Sequence, residues 1–400
     1  MPDTGRMILD IAIFAAILST AALMWWPALR RHKIWRATIT PLASIIGSGF
    51  LVLGPVLDQA YGRWAPAAML ALCAVAWGFG AAIRANISAL ATGTAARNAA
   101  GETLASALLG FAYMVSVAYY LNLFGAFAVS LTPWDNDHAA RLVTTAVYAV
   151  ILWVGWTRGF TLLERLEYAS VSLKLTIIAG LLLGLAAFTW GRAAAGALDF
   201  NPAETTGWAA LTLGFGLIVT VQGFETSRYL GGSYDAPTRV RSMRLAQIVA
   251  TAIYAVYIGL TAYSFAPGDI ALSETAIIDM MEIVSPVLPA VLVAAALAAQ
   301  FSAAVADTGG AGGLVNELSR RRVTTRQAYA LTAAAGIALT WTADVFEIIA
   351  YASRAFAAYY AVQAGLAAWR NRRTAPARAV AFAALALLGA VITLFGTAVE

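Results

Sequence analysis

Runs of about twenty mostly apolar residues recur along this chain from end to end, and each is long enough to cross a ~30 Å hydrocarbon layer as a helix. Twelve such segments can be read, roughly 7–29, 38–57, 64–90, 103–131, 139–158, 168–190, 207–232, 244–265, 284–314, 327–343, 345–369 and 377–398. With 61% apolar and only 12% charged residues, the chain of 400 residues has too few charges to clothe a soluble core. Backbone amides at membrane depth must bond within the protein, and these runs are too long for barrel strands. The sequence therefore predicts an all-α, polytopic membrane helical bundle of about 12 transmembrane helices. Nucleic-acid binding, a secreted disulfide scaffold and a disordered chain are excluded as readings.

The placement of charge orients the bundle. If the loop after the first segment faces the cytoplasm, that side holds Arg30, Arg31, Lys33, Arg36, Arg84, Arg97, Arg158, Arg165, Arg239, Arg241, Arg244, Arg320, Arg321, Arg322, Arg326, Arg370, Arg372, Arg373 and Arg378. The opposite side holds only Arg6, Arg63, Arg141 and Arg192. This bias predicts a multi-pass protein of the inner or plasma membrane with both termini outside, and it accounts for the formal net charge of +5 without an acidic partner. The first segment is read as a retained helix, because its apolar run is too long for a signal peptide and its positive charges follow it. One cysteine, Cys73, and two histidines, His32 and His138, leave little for metal or redox chemistry, so no cofactor is expected.

Two segments depart from plain apolar helix. Segment 2 carries Ile46-Gly47-Ser48-Gly49-Phe50-Leu51 with Pro55 soon after, and segment 7 carries Thr220-Val221-Gln222-Gly223-Phe224-Glu225-Thr226-Ser227. Glycines beside polar residues at mid-span invite unwinding, which frees amides and carbonyls that are tolerated only where they line a cavity or meet a ligand. Close packing through small residues is the alternative reading of each stretch taken alone. Interruptions opening two successive groups of five helices point instead to a repeat-built transporter with its site at the midplane.

These residues resemble a known group. Ile46-Gly47-Ser48-Gly49-Phe50-Leu51 with Pro55, and Gly223-Phe224-Glu225 followed by Asp235-Ala236-Pro237-Thr238-Arg239, look like the first and sixth core helices of the amino acid-polyamine-organocation (APC) superfamily. The resemblance implies the leucine-transporter fold, a 5+5 inverted repeat with discontinuous first and sixth core helices. On that reading residues 1–37 form an extra N-terminal helix and basic loop, 38–190 the first five-helix repeat, 207–370 the second, and 371–400 a peripheral helix. The usual pattern in the group keeps both ends cytoplasmic and adds two helices after the core, so the extra N-terminal helix is a departure.

A charge at the bilayer centre costs at least ~2.5 kcal/mol on insertion scales, which makes Lys174, Glu225, Arg228, Asp307, Glu347 and Arg354 candidates. Glu225 is the deepest acid; it serves transport or merely neutralises Arg228 one turn along. Lys174 can snorkel to the interface; in the superfamily that the chain resembles, proton-coupled members carry a lysine at the corresponding place in the fifth core helix. Asp307 with Ser302 offers carboxylate and hydroxyl oxygens to a cation. Arg354 either locks to a carboxylate such as Glu347 or grips a substrate carboxylate. Of the stripe Tyr113, Ser116, Tyr120, Phe124 and Phe127, Tyr120 is the candidate, since a buried phenol needs a polar partner.

The chain is thus expected to be a secondary active transporter of an amino acid or related small amine, working by alternating access and driven by protons through Lys174 and Glu225. Substrate would meet Ile46, Gly47, Ser48, Gly49, Tyr120, Thr220, Gln222, Gly223, Phe224 and Arg354. The alternatives are a sodium-coupled symporter or cation carrier using Ser302 and Asp307, and, from another class, a membrane sensor or membrane-embedded enzyme. No nucleophile motif or histidine pair argues for an enzyme. The expected partners are a small-molecule substrate, a proton or sodium ion, and the lipid bilayer.

Overall fold

The structure, a computed structural model, describes residues 3–47, 49–93, 98–157, 167–266 and 271–399. Among them it is helical with no strand, a polytopic bundle in which eight stretches are long and apolar enough to cross a membrane. Ser48, Arg97, Arg158 and Arg165 lie outside the described residues.

Among the described residues, sixteen α-helices follow in order. They are α1 (Asp3–Trp25), α2 (Pro27–Arg31), α3 (Lys33–Ile45), α4 (Gly49–Tyr61), α5 (Ala65–Ala91), α6 (Ala99–Val129), α7 (Asp137–Thr157) and α8 (Glu167–Ala194). Then come α9 (Gly207–Gly216), α10 (Thr226–Tyr229), α11 (Ala236–Thr261), α12 (Ile277–Val284), α13 (Leu288–Leu318), α14 (Thr325–Thr342), α15 (Val345–Asn371) and α16 (Pro376–Phe395). Each apolar segment read from the sequence thus contains one helix or a pair of half-helices, and the short α2 and α12 are additional.

Local chemistry sets several of the ends. Asp235 accepts from the Thr238 amide and caps α11, whose first turn carries Pro237, where a missing N–H costs nothing. Thr324 with Gln327 and Asp344 with Glu347 form reciprocal capping boxes at α14 and α15. Glu347 is therefore a residue of a helix start and not a mid-membrane charge. The core is built by α6 packing on α13 and on α15 and by α11 packing on α3 and α5; α1 lies against α8, and α16 against α15. Six tyrosines, among them Tyr254, Tyr257, Tyr359 and Tyr360, are fully buried, so the interior carries an unusual number of phenols that each need a polar partner.

One end of the bundle is tied by ions. Glu102 at the start of α6 pairs with Arg228 of α10 and, at 2.5 Å, with Arg370 at the end of α15. Arg228 also donates to Gln363 Oε1 at 2.7 Å, Arg370 to Asn86 Oδ1 at 2.7 Å, and Asn86 Nδ2 to Gln363 Oε1 at 2.8 Å. The opposite end is open by comparison. Two adjoining clefts of about 260 and 250 Å³ share Gln59, Glu204 and Leu272, and one of them reaches Pro55 and Asp58 on α4. Pro55 stands six residues past the start of α4, ~9 Å along the helix.

Candidate functional site

The site begins where two spanning segments stop being helices. Regular winding ends at Ile45 and resumes at Gly49; in the second segment it ends at Gly216, passes through a 3₁₀ turn at Ile218–Val221, is extended at Gln222 and restarts at Thr226. Gly223 sits at φ +115°, a conformation that costs a side-chain-bearing residue heavily.

The two breaks lie against each other, backbone on backbone. A Cβ on Gly49 would come 2.3 Å from the Thr220 carbonyl oxygen, and one on Gly223 would come 2.4 Å from Ser44 Cβ. Neither position tolerates a side chain, so glycine at these points permits the approach as well as the turn. Small-residue packing and helix interruption, alternatives on sequence alone, are here one feature.

Peptide groups released by the breaks find specific partners. At the end of α3, Leu42 O accepts from the Ile46 amide, Ala43 O from Lys174 Nζ at 3.0 Å, and Ile45 O from the Tyr254 hydroxyl at 2.8 Å. The helix end presents bare carbonyls with partial negative charge, which suits donors, and a cation most of all. In the second segment, Gly216 O accepts from Ser353 Oγ at 2.6 Å, while Ser353 Oγ itself accepts from the Val219 amide at 3.0 Å. Lys174 is buried and reaches inward, so it does not snorkel.

Glu225 is wholly buried. Its Oε2 accepts from the Gly223 amide at 2.9 Å and from the Tyr360 hydroxyl at 2.8 Å, while Oε1 has no partner. Arg228 does not neutralise it, being engaged by Glu102 and Gln363. Tyr360 is held flat between Phe79 and Phe224, with ring centroids 5.1 Å away on each side and planes within 22° and 19° of parallel. That stacking fixes the phenol so that its hydroxyl points at Glu225.

Gln222, also buried, donates from Nε2 to the Tyr120 hydroxyl at 3.1 Å and leaves Oε1 without a partner. Tyr120 touches both breaks, because its ring lies 3.8 Å from where a Cβ on Gly47 would be. Asp307 of α13 is buried and accepts from Ser116 Oγ. Asp307 and Glu225 lie within electrostatic reach of each other and of Tyr113 and Tyr120.

Of the residues singled out from the sequence, the structure thus gathers Ile46, Gly47, Gly49, Tyr120, Lys174, Thr220, Gln222, Gly223, Phe224, Glu225 and Asp307 around the paired breaks. Two do not join them. Arg354 is exposed, and its Nε donates to Thr393 O on α16 at 2.7 Å, with neither Glu347 nor a site group as partner. It lies on the α16 side of α15, whereas Tyr360 lies on the side facing Glu225, which is why its position in sequence misled. Ser302 is five residues from Asp307, about 140° around the helix, and the hydroxyl on Asp307 comes from Ser116 of α6 instead. Tyr254, Tyr360 and Ser353 were missed by sequence reasoning; the only signal was that buried hydroxyls on membrane helices need partners.

Two buried acceptors from the same short stretch, Gln222 Oε1 and Glu225 Oε1, stand without donors at the second break. Buried polar atoms are rarely left so, and such a pair is suited to a donor-rich group such as an ammonium.

A family profile described as APC superfamily transporter matches residues 27–396. A protein of Aquifex aeolicus (strain VF5) described as uncharacterized is 39% identical over 373 residues, which is 90% of this chain and 89% of that one.

Proposed function

Because the chain belongs to the APC superfamily of transporters, we propose that it is a proton-coupled secondary transporter of an amino acid or related small amine, with its site at the paired helix breaks. The observation that carries this reading is the pair of unpartnered acceptors at Gln222 and Glu225 beside two interrupted helices. An amino group would be held by Gln222 Oε1, Glu225 Oε1 and the Thr220 carbonyl region. A substrate carboxylate would meet amides at the start of α4 around Gly47, Ser48 and Gly49, where the half-helix N-terminus carries partial positive charge. Ile46, Tyr120, Gly223 and Phe224 line the same place. Arg354 has no part in it.

Division into repeats 38–190 and 207–370, with α1 and α16 peripheral, belongs to the same reading. The arginine-rich end is placed at the cytoplasm, so the Glu102 network closes the inner side while the clefts near Asp58 face outward. Lys174 bonds to the carbonyl one turn before the first break, and Glu225 sits at the second. A proton gained or lost at either would change how firmly that break is held, which is what coupling requires.

Uptake into proteoliposomes under an imposed pH gradient tests the coupling. Flux should rise with the gradient and fall when it is reversed; flux indifferent to the gradient in both directions sinks it. Glu225→Gln should abolish uptake in a protein that still purifies folded. The sodium-coupled reading rests on Asp307 with the Ser116 hydroxyl as oxygen ligands, and loss of uptake when choline replaces sodium would favour it.

A further inference from the structure

Tyr254 of α11 is fully buried, and its hydroxyl lies 2.8 Å from Ile45 O and 2.8 Å from Thr220 O. Ile45 O is the last carbonyl of α3, and Thr220 O belongs to the 3₁₀ turn that leads into the second break. A phenol has one proton to donate and two acceptors here, so it bridges the two carbonyls by sharing that proton between them.

The surroundings make this bridge a fastening point. On one side Gly49 abuts Thr220, and on the other Gly223 abuts Ser44. Both contacts are backbone on backbone, with glycine required at each. One turn along α11, Tyr257 stacks on Phe50 at 4.3 Å, and its hydroxyl fills the space that a side chain on Gly54 would need. Tyr254 itself lies 6.1 Å from the Phe50 ring. Helix α11 therefore grips the half-helix after the first break through Tyr257 and joins the two breaks through Tyr254.

We propose that Tyr254 is a positioning residue that fastens the two helix breaks into a single unit, so that the amides and carbonyls on both sides of the site open and close together. The proposal deepens the transport reading, since a guest held by both breaks needs them to move as one, and rests on that reading only for its purpose. Its test needs neither substrate nor flux, so failure of the transport reading would leave the result standing.

Hydrogen–deuterium exchange of the purified full-length protein supplies the test, with peptides covering 42–52 and 218–226 and a control from 70–90 in α5. Tyr254→Phe keeps the ring and its packing while removing the bridge. Exchange at both breaks should rise together by about five- to tenfold, the factor one neutral hydrogen bond is worth, with α5 unchanged. A rise at one break alone, an equal rise over α5, or no rise would each overturn the proposal.

If Tyr254→Phe fails to give folded protein, the unmodified protein decides. In a denaturant series its two break peptides should follow one common opening curve, as a cooperative unit does; two distinct curves would overturn the fastening.

Discussion

Glu102 is the most consequential surface charge in the molecule, because one carboxylate serves two arginines that can hardly reach water. The Arg228 side chain is 11% exposed and that of Arg370 3%, against 25% for Glu102. Removing one partner of a buried pair typically costs 3–5 kcal/mol, since the remaining charge is left uncompensated. Glu102→Gln removes the charge but keeps one oxygen able to accept, and Glu102 is partly solvated. The expected loss is therefore nearer ~2 kcal/mol, about 30-fold in the equilibrium that keeps this end closed.

Ser227, fully buried beside Arg228 at the start of α10, offers a reporter for that equilibrium. In a Cys73→Ala background, Ser227→Cys should react with a small maleimide about 30-fold faster when Glu102→Gln is also present. Adding Arg370→Gln should recover part of the protection, because it removes one of two cations then facing each other without an anion. Reactivity that stays within about twofold of the starting protein would refute the argument that this carboxylate holds the end closed, since ~2 kcal/mol predicts far more.

Three further outcomes follow from the geometry. Gly223→Ala should leave little folded protein in a detergent thermal scan, because a side chain at φ +115° adds ~1–2 kcal/mol of strain to the 2.4 Å clash with Ser44. Arg354→Ala should leave uptake within about twofold of normal, as an exposed side chain bonded to one carbonyl of α16 contributes little to the site. Glu274, in the loop before α12, has its carboxyl raised above the ordinary range by burial, reinforced by the charges of Asp137, Asp344 and Asp135. The folded protein thus holds that proton more tightly than the unfolded chain, so the stabilisation is complete below the ordinary carboxylate pKa and is lost as pH rises through the raised value. Glu274→Gln should accordingly leave the melting midpoint unchanged near pH 4 and raise it near pH 8, where the charged form dominates.

The bundle and its two interruptions were legible because their causes are local. A run of apolar residues specifies a spanning helix by itself, and glycine beside polar residues within such a run weakens the winding wherever the helix ends up. The contacts that give the breaks their meaning are tertiary. Glu225 and Arg228 are three residues apart and read as a pair, yet the chain turns at Gly223 and sends them to different partners, Tyr360 and Glu102. Ser302 and Asp307 share a helix but not a face, whereas Ser116 reaches Asp307 from 191 positions away.

Arg354 and Tyr360 show the same limit on one helix. Six residues put them about 120° apart around α15, so one faces α16 and the other the site, and nothing in the local sequence says which face is inward. What separates them is the rule that a polar group is rarely left both buried and unpaired: the arginine found a carbonyl and partial exposure at the periphery, while the tyrosine lay between Phe79 and Phe224 with its hydroxyl against the deepest carboxylate. A residue's role here is set by who can reach it, and reach is decided by the packing of helices far apart in sequence. Sequence reasoning therefore locates the breaks, and only the folded chain identifies the hydroxyls that hold them.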